Sequence, residues 1–186
     1  MEATGETGCS VNAPGTAWFW FTVMTTIGYG NQAPVTTGGR AMVAILGFVS
    51  ILAFAGILGN AGSIVNVIWE DFVGRIRYPY FKGPIMGCIV WGLTTLGWLF
   101  FLAGESRSFW SSRLEGSYPA SKWDSVWFAF ITTTTVGLGD FFYPPEVIFA
   151  EDVFKFSFMV LVGFVFFSTF LGQISKVFGR FFPDAG

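Results

Sequence analysis

Long runs of apolar residues dominate the chain. Three runs, at residues 41–69, 83–104 and 156–175, contain no charged residue and are bordered by charged ones. Each meets the roughly 20 residues that a helix needs to cross a hydrocarbon core about 30 Å thick. Buried helices of a soluble protein are the alternative, but a chain of 186 residues leaves little sequence to cover three of them. The pattern therefore predicts an all-α integral membrane protein with three transmembrane helices.

Two shorter apolar segments, at residues 17–31 and 126–140, cannot span a bilayer. Each has about nine apolar and threonine residues, which rise only about 13 Å as a helix, and then a threonine-rich Gly-x-Gly sequence. Irregular backbone at membrane depth is tolerated only where protein buries it or where it lines a watery path. We therefore predict two re-entrant half-helices, each followed by a loop.

The two short segments are copies of one another. At an offset of 109 residues, seven of thirteen positions are identical. These positions in the first copy are Trp18, Phe19, Phe21, Thr25, Thr26, Gly28 and Gly30. The match resumes in the long spans at an offset of 116, so the second copy carries seven extra residues near positions 141–145. The chain is predicted to be a tandem duplication of half-helix, glycine loop and long helix.

Composition and charge exclude several functions. The absence of histidine excludes Ser-His-Asp and Cys-His nucleophiles, histidine metal sites and a histidine pH switch. Two cysteines are too few for a disulfide framework or a four-cysteine zinc site. A net charge of −2, without a basic run, excludes nucleic acid as a partner. Charged residues form 12% of the chain, about half the usual share in soluble proteins, so the expected surroundings are a lipid bilayer.

The glycine loops are the candidate site of function. They read Thr-Thr-Ile-Gly-Tyr-Gly at residues 25–30 and Thr-Thr-Val-Gly-Leu-Gly at residues 134–139. Glycine at every second position allows positive φ, so successive carbonyls can be aimed at one axis and replace the water shell of an alkali cation. Neither loop has the Gly-x-Gly-x-x-Gly or Gly-Lys-Ser/Thr pattern of a nucleotide site.

Both loops closely resemble the selectivity filters of potassium channels, and their occurrence twice in one chain resembles the two-pore-domain potassium channels. The resemblance covers residues 18–177. It implies a potassium-channel pore fold in which four loops from two chains, a homodimer or a heterodimer with a related chain, surround one pore. Potassium is then the permeant ion, and no cofactor is expected. The implied filter residues are Thr26, Ile27, Gly28, Tyr29, Gly30, Thr135, Val136, Gly137, Leu138 and Gly139, and the implied supports are Trp18, Thr25, Trp127, Thr134 and Asp140.

The resemblance also implies the division of the chain. The filters would open to the outside, with the linker and the C-terminus in the cytoplasm. The expected parts are a first pore repeat at 1–69 (pore loop 17–31, inner helix 41–69), a cytoplasmic linker at 70–83 and a second repeat at 84–180 (outer helix 84–104, pore loop 123–140, inner helix 153–176). The family begins each repeat with an outer helix, but only a short polar segment precedes Trp18. We therefore expect this chain to be a fragment of a longer product.

An asymmetry is expected behind the filters. In the channels that the loops resemble, a tryptophan N–H eleven residues before the filter tyrosine can bond its hydroxyl and brace the filter. Trp18 stands in that place before Tyr29, whereas Trp127 precedes Leu138, which offers no acceptor. The second loop is therefore expected to lack the brace. Asp140 is expected at the outer mouth, so a dimer would present two carboxylates there.

The predicted function is passive, leak-type potassium conduction across the plasma membrane. No span carries a basic residue at every third position, so no voltage sensor is predicted. Two alternatives stay open: a potassium uptake transporter subunit, and a non-conducting or regulatory partner of complete channels. The glycines of the inner helices, Gly56, Gly59, Gly163 and Gly172, allow either bending or close helix packing.

Overall fold

A computed structural model describes residues 12–75, 83–114 and 121–181 as five helices, with no strand in these ranges. In chain order the helices are α1 (Ala13–Met24), α2 (Thr37–Arg75), α3 (Pro84–Arg113), α4 (Lys122–Thr133) and α5 (Ala150–Phe181). Three of them, α2, α3 and α5, are long and apolar enough to cross a membrane. The predicted all-α class with three long apolar helices is confirmed.

The long helices extend beyond the apolar runs that predicted them. α2 continues through Arg75, six residues into the predicted linker 70–83. Asp71 and Arg75 form an ion pair one turn apart, which supports helix outside an apolar environment. The rest of that linker, residues 76–82, lies outside the described residues. α3 continues to Arg113 instead of ending at residue 104, and α5 spans Ala150–Phe181 instead of 153–176.

The two short helices are set by local sequence signals. The Asn12 side chain caps α1 by accepting a hydrogen bond of 2.7 Å from the Gly15 N–H, and a proline stands in the first turn. Ser121 caps α4 in the same way, with a bond of 3.1 Å from the Trp123 N–H. α1 and α4 have twelve residues each, about 18 Å of helix, which is too short to span the bilayer.

The core lies between α3, α4, α5 and the segment that follows the second glycine loop. Its fully buried side chains include Leu102, Phe128, Tyr143, Phe156 and Val160. α1 joins this core through Trp18, whose side chain is also buried. The apolar side chains of α2, in contrast, are mostly exposed, as expected for a helix whose partners in a bilayer are lipid or another chain.

Two of the four inner-helix glycines allow close packing. A Cβ on Gly172 would lie 2.6 Å from the Asn66 amide nitrogen, and one on Gly163 would lie 3.2 Å from the Trp98 ring. Gly56 and Gly59 have no atom within 4 Å of that position. The packing interpretation therefore applies to Gly163 and Gly172 of α5.

The polar contacts of α5 with its neighbours include two near its start and two near its end, besides the ion pairs of Arg113 with Glu151 and Asp152. Near its start, Lys155 forms an ion pair with Glu105 of α3. The Trp98 indole N–H of α3 donates a hydrogen bond of 2.9 Å to the Met159 carbonyl. Near its end, the Gln173 amide donates 2.6 Å to Asn66 of α2, and Lys176 forms an ion pair with Glu70. These contacts fix the position of α5 against both α2 and α3.

We expect the Asn66–Gln173 bond to stabilise the packing of α2 on α5. Replacing Asn66 by leucine should lower the melting temperature of the purified protein by about 2–12 °C, because Gln173 stays buried without its partner at a cost of about 1–3 kcal/mol. Asn66→Leu combined with Gln173→Leu should recover part of the loss, since no polar group is then left unpaired. Equal losses in the single and double variants would contradict this pairing.

Candidate functional site

The backbone of the glycine loops alternates in conformation. After α1, Thr26, Gly28 and Gly30 have φ angles of 60°, 54° and 77°. After α4, the equivalent values at Thr135, Gly137 and Gly139 are 58°, 52° and 77°. The positive φ expected at the glycines is observed, while that of the two threonines was missed, because a β-branched residue rarely adopts it. A positive φ at every second residue turns successive peptide planes the same way.

The loop N–H groups bond back to the short helices. The Gly28 N–H donates a hydrogen bond of 3.1 Å to the Thr22 carbonyl. The N–H groups of Val136 and Gly137 donate hydrogen bonds of 2.9 and 3.0 Å to the Ile131 carbonyl. Within the described part of the chain, no hydrogen bond is accepted by a backbone carbonyl of residues 25–30 or 134–139. These carbonyls are therefore available as cation ligands. The partly negative C-terminal ends of α1 and α4 also favour a cation nearby.

The two loops lie side by side in the same direction. A Cβ on Gly137 would lie 1.8 Å from the Ile27 carbonyl oxygen, and a Cβ on Gly139 would lie 2.0 Å from the Tyr29 carbonyl oxygen. Gly28 and Gly30, at the equivalent places in the first loop, have nothing within 4 Å. The two loops of one chain therefore lie next to each other, and the side of the first loop that bears Gly28 and Gly30 is open.

The threonines that end the short helices are tied to their own helix. The hydroxyls of Thr25 and Thr134 each donate a hydrogen bond of 2.7 Å to the backbone carbonyl four residues earlier. Thr25 is buried and Thr134 is half-buried. The threonines that follow, Thr26 and Thr135, are the first loop residues with positive φ, and Thr26 is exposed. The sequence-predicted filter residues thus form two continuous loops after α1 and α4.

The prediction that the Trp18 indole N–H bonds to the Tyr29 hydroxyl is wrong. The Tyr29 hydroxyl instead shares a hydrogen bond of 2.7 Å with the Thr132 hydroxyl of α4, and its ring stacks on Phe128 at 5.9 Å. The buried Trp18 indole N–H has no partner among the described residues. The reason is the arrangement of the loops, since the tyrosine of the first loop faces the short helix of the second repeat.

Trp127 has no bond to Leu138, as expected, but it braces the second loop through a bond that the sequence analysis missed. The Trp127 indole N–H donates 2.7 Å to the Asp140 carboxylate, which also accepts 3.1 Å from the Phe141 N–H. The carboxylate at the end of the loop therefore takes the place that a tyrosine hydroxyl was expected to fill. Leu138 makes no such bond, and its side chain is exposed.

Tyr143 is a residue that the sequence analysis missed. It lies in the seven-residue insertion of the second repeat, is fully buried and stacks on Phe156 at 4.1 Å. Its hydroxyl donates 2.6 Å to Ser106, and burial raises the pKa of this hydroxyl well above its usual value, so it stays protonated. The ring also meets Trp18 edge-on at 5.2 Å, which connects the insertion to the first repeat.

On the sequence-based prediction that the loops conduct potassium, we expect the Trp127–Asp140 bond to hold the second loop in place when few ions occupy it. Trp127→Phe should raise the sodium-to-potassium permeability ratio as external potassium is lowered, because it removes a charge-assisted bond worth about 1.5–3 kcal/mol. Trp123→Phe is the control, since Trp123 is 74% exposed at the start of the same helix. The measurement is the reversal potential, and equal shifts in both variants would contradict the role of this bond.

Comparison with known proteins identifies related sequences. A family profile described as "Ion channel" matches residues 4–66 and 88–180. Potassium channel subfamily K member 2 of Homo sapiens is 29% identical over 164 residues, which cover 84% of this chain and 37% of that protein. Subfamily K member 10 of Mus musculus is 30% identical over 176 residues, covering 86% of this chain and 31% of that protein. The chain thus spans about a third of the length of these relatives.

Proposed function

Because this chain belongs to the two-pore-domain potassium channel family, we propose that it conducts potassium passively as a leak-type channel. The supporting observation is the pair of adjacent glycine loops whose backbone carbonyls accept no hydrogen bond within the described residues. Oxygens of successive backbone carbonyls can replace the hydration shell of an ion only if the backbone holds them in place. The hydrogen bonds from the loop N–H groups to α1 and α4 hold the loop backbone in place.

The proposed ligands for the permeant ion are the backbone carbonyls of residues 26–30 and 135–139. Thr25 and Thr134 anchor the start of each loop by their bonds to α1 and α4. Trp127 and Asp140 anchor the end of the second loop. Trp18 supports α1, from which the first loop begins, through its stack on Phe21 at 5.2 Å and its edge-on contact with Tyr143 at 5.2 Å.

The proposed conducting unit is a dimer in the membrane. Two loops cannot enclose an axis, and irregular backbone at membrane depth must be covered by protein or water. The open sides of Gly28 and Gly30 provide room for the loops of a second chain. A homodimer, or a heterodimer with a related chain, gives four loops about one pore. The plasma membrane is the proposed location.

The proposed division of the chain keeps two pore repeats. The first, proposed at residues 1–69, contains α1, its loop and most of α2 as inner helix, and the second, proposed at residues 84–180, contains α3, α4, the second loop and α5 up to Arg180. The segment between them, 70–83, is proposed to lie on the cytoplasmic side, although its first six residues belong to α2.

A flux assay in liposomes tests the proposed function. The protein reconstituted at known density should carry potassium down its gradient without any energy source, and sodium should pass far more slowly. Empty liposomes and liposomes holding the Gly137→Ala variant are the controls. Flux of neither ion would favour a non-conducting partner of complete channels, and uptake against the gradient would favour a transporter subunit.

A further inference from the structure

The two glycine loops differ in how their side chains are covered. In the first loop, Ile27 and Tyr29 are 3% and 5% exposed. In the second loop, the equivalent Val136 and Leu138 are 53% and 58% exposed. The loops have the same backbone conformation, so the difference lies in what packs against them. The second loop therefore leaves an apolar surface uncovered within one chain.

The cover of the first loop comes from the second repeat. Tyr29 packs on Phe128 of α4 and shares a hydrogen bond with Thr132. At the repeat offset of 109, these two α4 residues correspond to Phe19 and Val23 of α1. Both α1 residues are only half-buried within the chain. Each chain therefore has two surfaces that could pair between chains. One is the exposed Leu138, and the other is the surface of α1 that corresponds to the α4 surface packed on Tyr29.

The glycines indicate how the halves meet. Gly137 and Gly139 already touch the carbonyls of the first loop, whereas Gly28 and Gly30 are open. Repeating the same loop-to-loop contact places the second loop of another chain against Gly28 and Gly30. In that arrangement, α1 of the first chain lies beside Leu138 of the other chain, just as α4 lies beside Tyr29 within a single chain. A second copy of this chain is therefore the occupant of the uncovered surface.

We propose that in the dimer Leu138 of each chain packs against Phe19 and Val23 of the partner subunit. This inference rests on the proposed pore of four loops. The contact between chains is then apolar, where the equivalent contact within a chain is a hydrogen bond between Tyr29 and Thr132. Leu138 is the residue that fits Val23, because valine offers no acceptor and a tyrosine there would bury an unpaired hydroxyl.

The matched pairs also determine the order of the loops around the pore. A first loop placed against the partner's α1 would leave the Tyr29 hydroxyl beside valine, without an acceptor. A second loop placed against α4 would leave the Thr132 hydroxyl beside leucine. Such mismatches discriminate against wrong arrangements, because each leaves a buried polar group unpaired. First and second loops therefore alternate around the axis.

The contact between Leu138 and Val23 is tested by placing one substitution on each chain of a dimer. Leu138→Tyr and Val23→Thr should each lower the thermal dissociation midpoint of the detergent-purified dimer by about 4 °C or more, because each creates a mismatch at two places. Chains carrying one substitution each, with different affinity tags, are then co-expressed and the mixed dimer is purified through both tags. It holds one Tyr–Thr contact and one Leu–Val contact, so its midpoint should return to within about 1 °C of wild type.

The equivalent pair within the chain is the matched control. Tyr29→Leu and Thr132→Val should also lower the midpoint singly, and the double variant in one chain should recover it. The mixed dimer with one of these substitutions on each chain should not recover, because every Tyr29–Thr132 contact stays within its own chain. Recovery between chains at Leu138 and Val23, and its absence at Tyr29 and Thr132, is the expected result.

A mixed Leu138→Tyr and Val23→Thr dimer that dissociates as easily as its parent dimers would overturn the proposed contact. This readout does not depend on conduction. If wild-type protein carries potassium in liposomes and the mixed dimer shows no recovery, the contact is wrong and the channel function stands. If recovery is seen but wild-type protein carries no ion, the contact stands and the channel function is wrong.

Discussion

Replacing Gly137 by alanine should abolish potassium flux. The new Cβ would lie 1.8 Å from the Ile27 carbonyl oxygen, which is backbone of the neighbouring loop and has little freedom to move. Its φ of 52° alone costs an alanine about 1–2 kcal/mol, or a factor of about 5–30 in the population of the native loop. The steric overlap adds to that cost, so we expect no flux above empty liposomes.

Two further glycines make this prediction specific. Gly97→Ala is the control, since Gly97 lies inside α3 with nothing within 4 Å of its Cβ position, and flux should stay at the wild-type level. Gly28→Ala has the same positive φ but no neighbour in its own chain. An effect as severe as that of Gly137→Ala would indicate another chain's loop beside Gly28. Wild-type flux through Gly137→Ala would show that the ion does not pass along these loops.

Replacing Tyr143 by alanine should cause the largest loss of stability. The ring is fully buried, stacks on Phe156 and meets the rings of Phe109 and Phe128 at 5.0 and 5.1 Å. Removing a buried aromatic side chain costs about 3–5 kcal/mol, which corresponds to a fall of about 6–20 °C in melting temperature. The insertion that follows the second loop would lose its contact with α3, α5 and Trp18.

Tyr143→Phe separates the ring from its hydroxyl. This variant keeps the packing and loses only the bond to Ser106, whose own hydroxyl still donates 2.7 Å to the Leu102 carbonyl. Its cost should be about 0.5–1.5 kcal/mol, so its melting temperature should stay within about 6 °C of wild type. A fall as large as that of Tyr143→Ala would mean that the hydroxyl, rather than the ring, carries the stability of this region.

The parts of this protein that were predictable from sequence are those with a local cause. Charge-free runs of twenty or more residues specify transmembrane helices, because the bilayer is the only solvent that accepts them. The repeat identified the glycine loops, and alternate glycines specified their positive φ. The ends of the long helices were less predictable, because charged residues such as Asp71 and Arg75 leave the bilayer without ending the helix.

The partners of the loop side chains were not predictable in this way. The Tyr29 hydroxyl bonds to Thr132, which is 103 residues away and belongs to the other repeat. Which short helix lies behind which loop is a property of the assembled fold, and spacing along the chain does not contain it. The role of the insertion was hidden for the same reason, since Tyr143 gains its importance only from the helices that surround it.

The polar contacts along α5 constrain the kind of movement open to this helix. The two lysines at its ends, Lys155 and Lys176, are 21 residues apart, or about 30 Å, close to the thickness of the hydrocarbon core. A piston movement along the helix axis would break the ion pairs of both lysines and the hydrogen bonds of Trp98 and Gln173 at once. Among these four polar contacts, a tilt about the Trp98 end would break only the two to α2. These polar contacts therefore resist a shift along the helix axis more strongly than a tilt about the end of α5 that lies beside the second glycine loop.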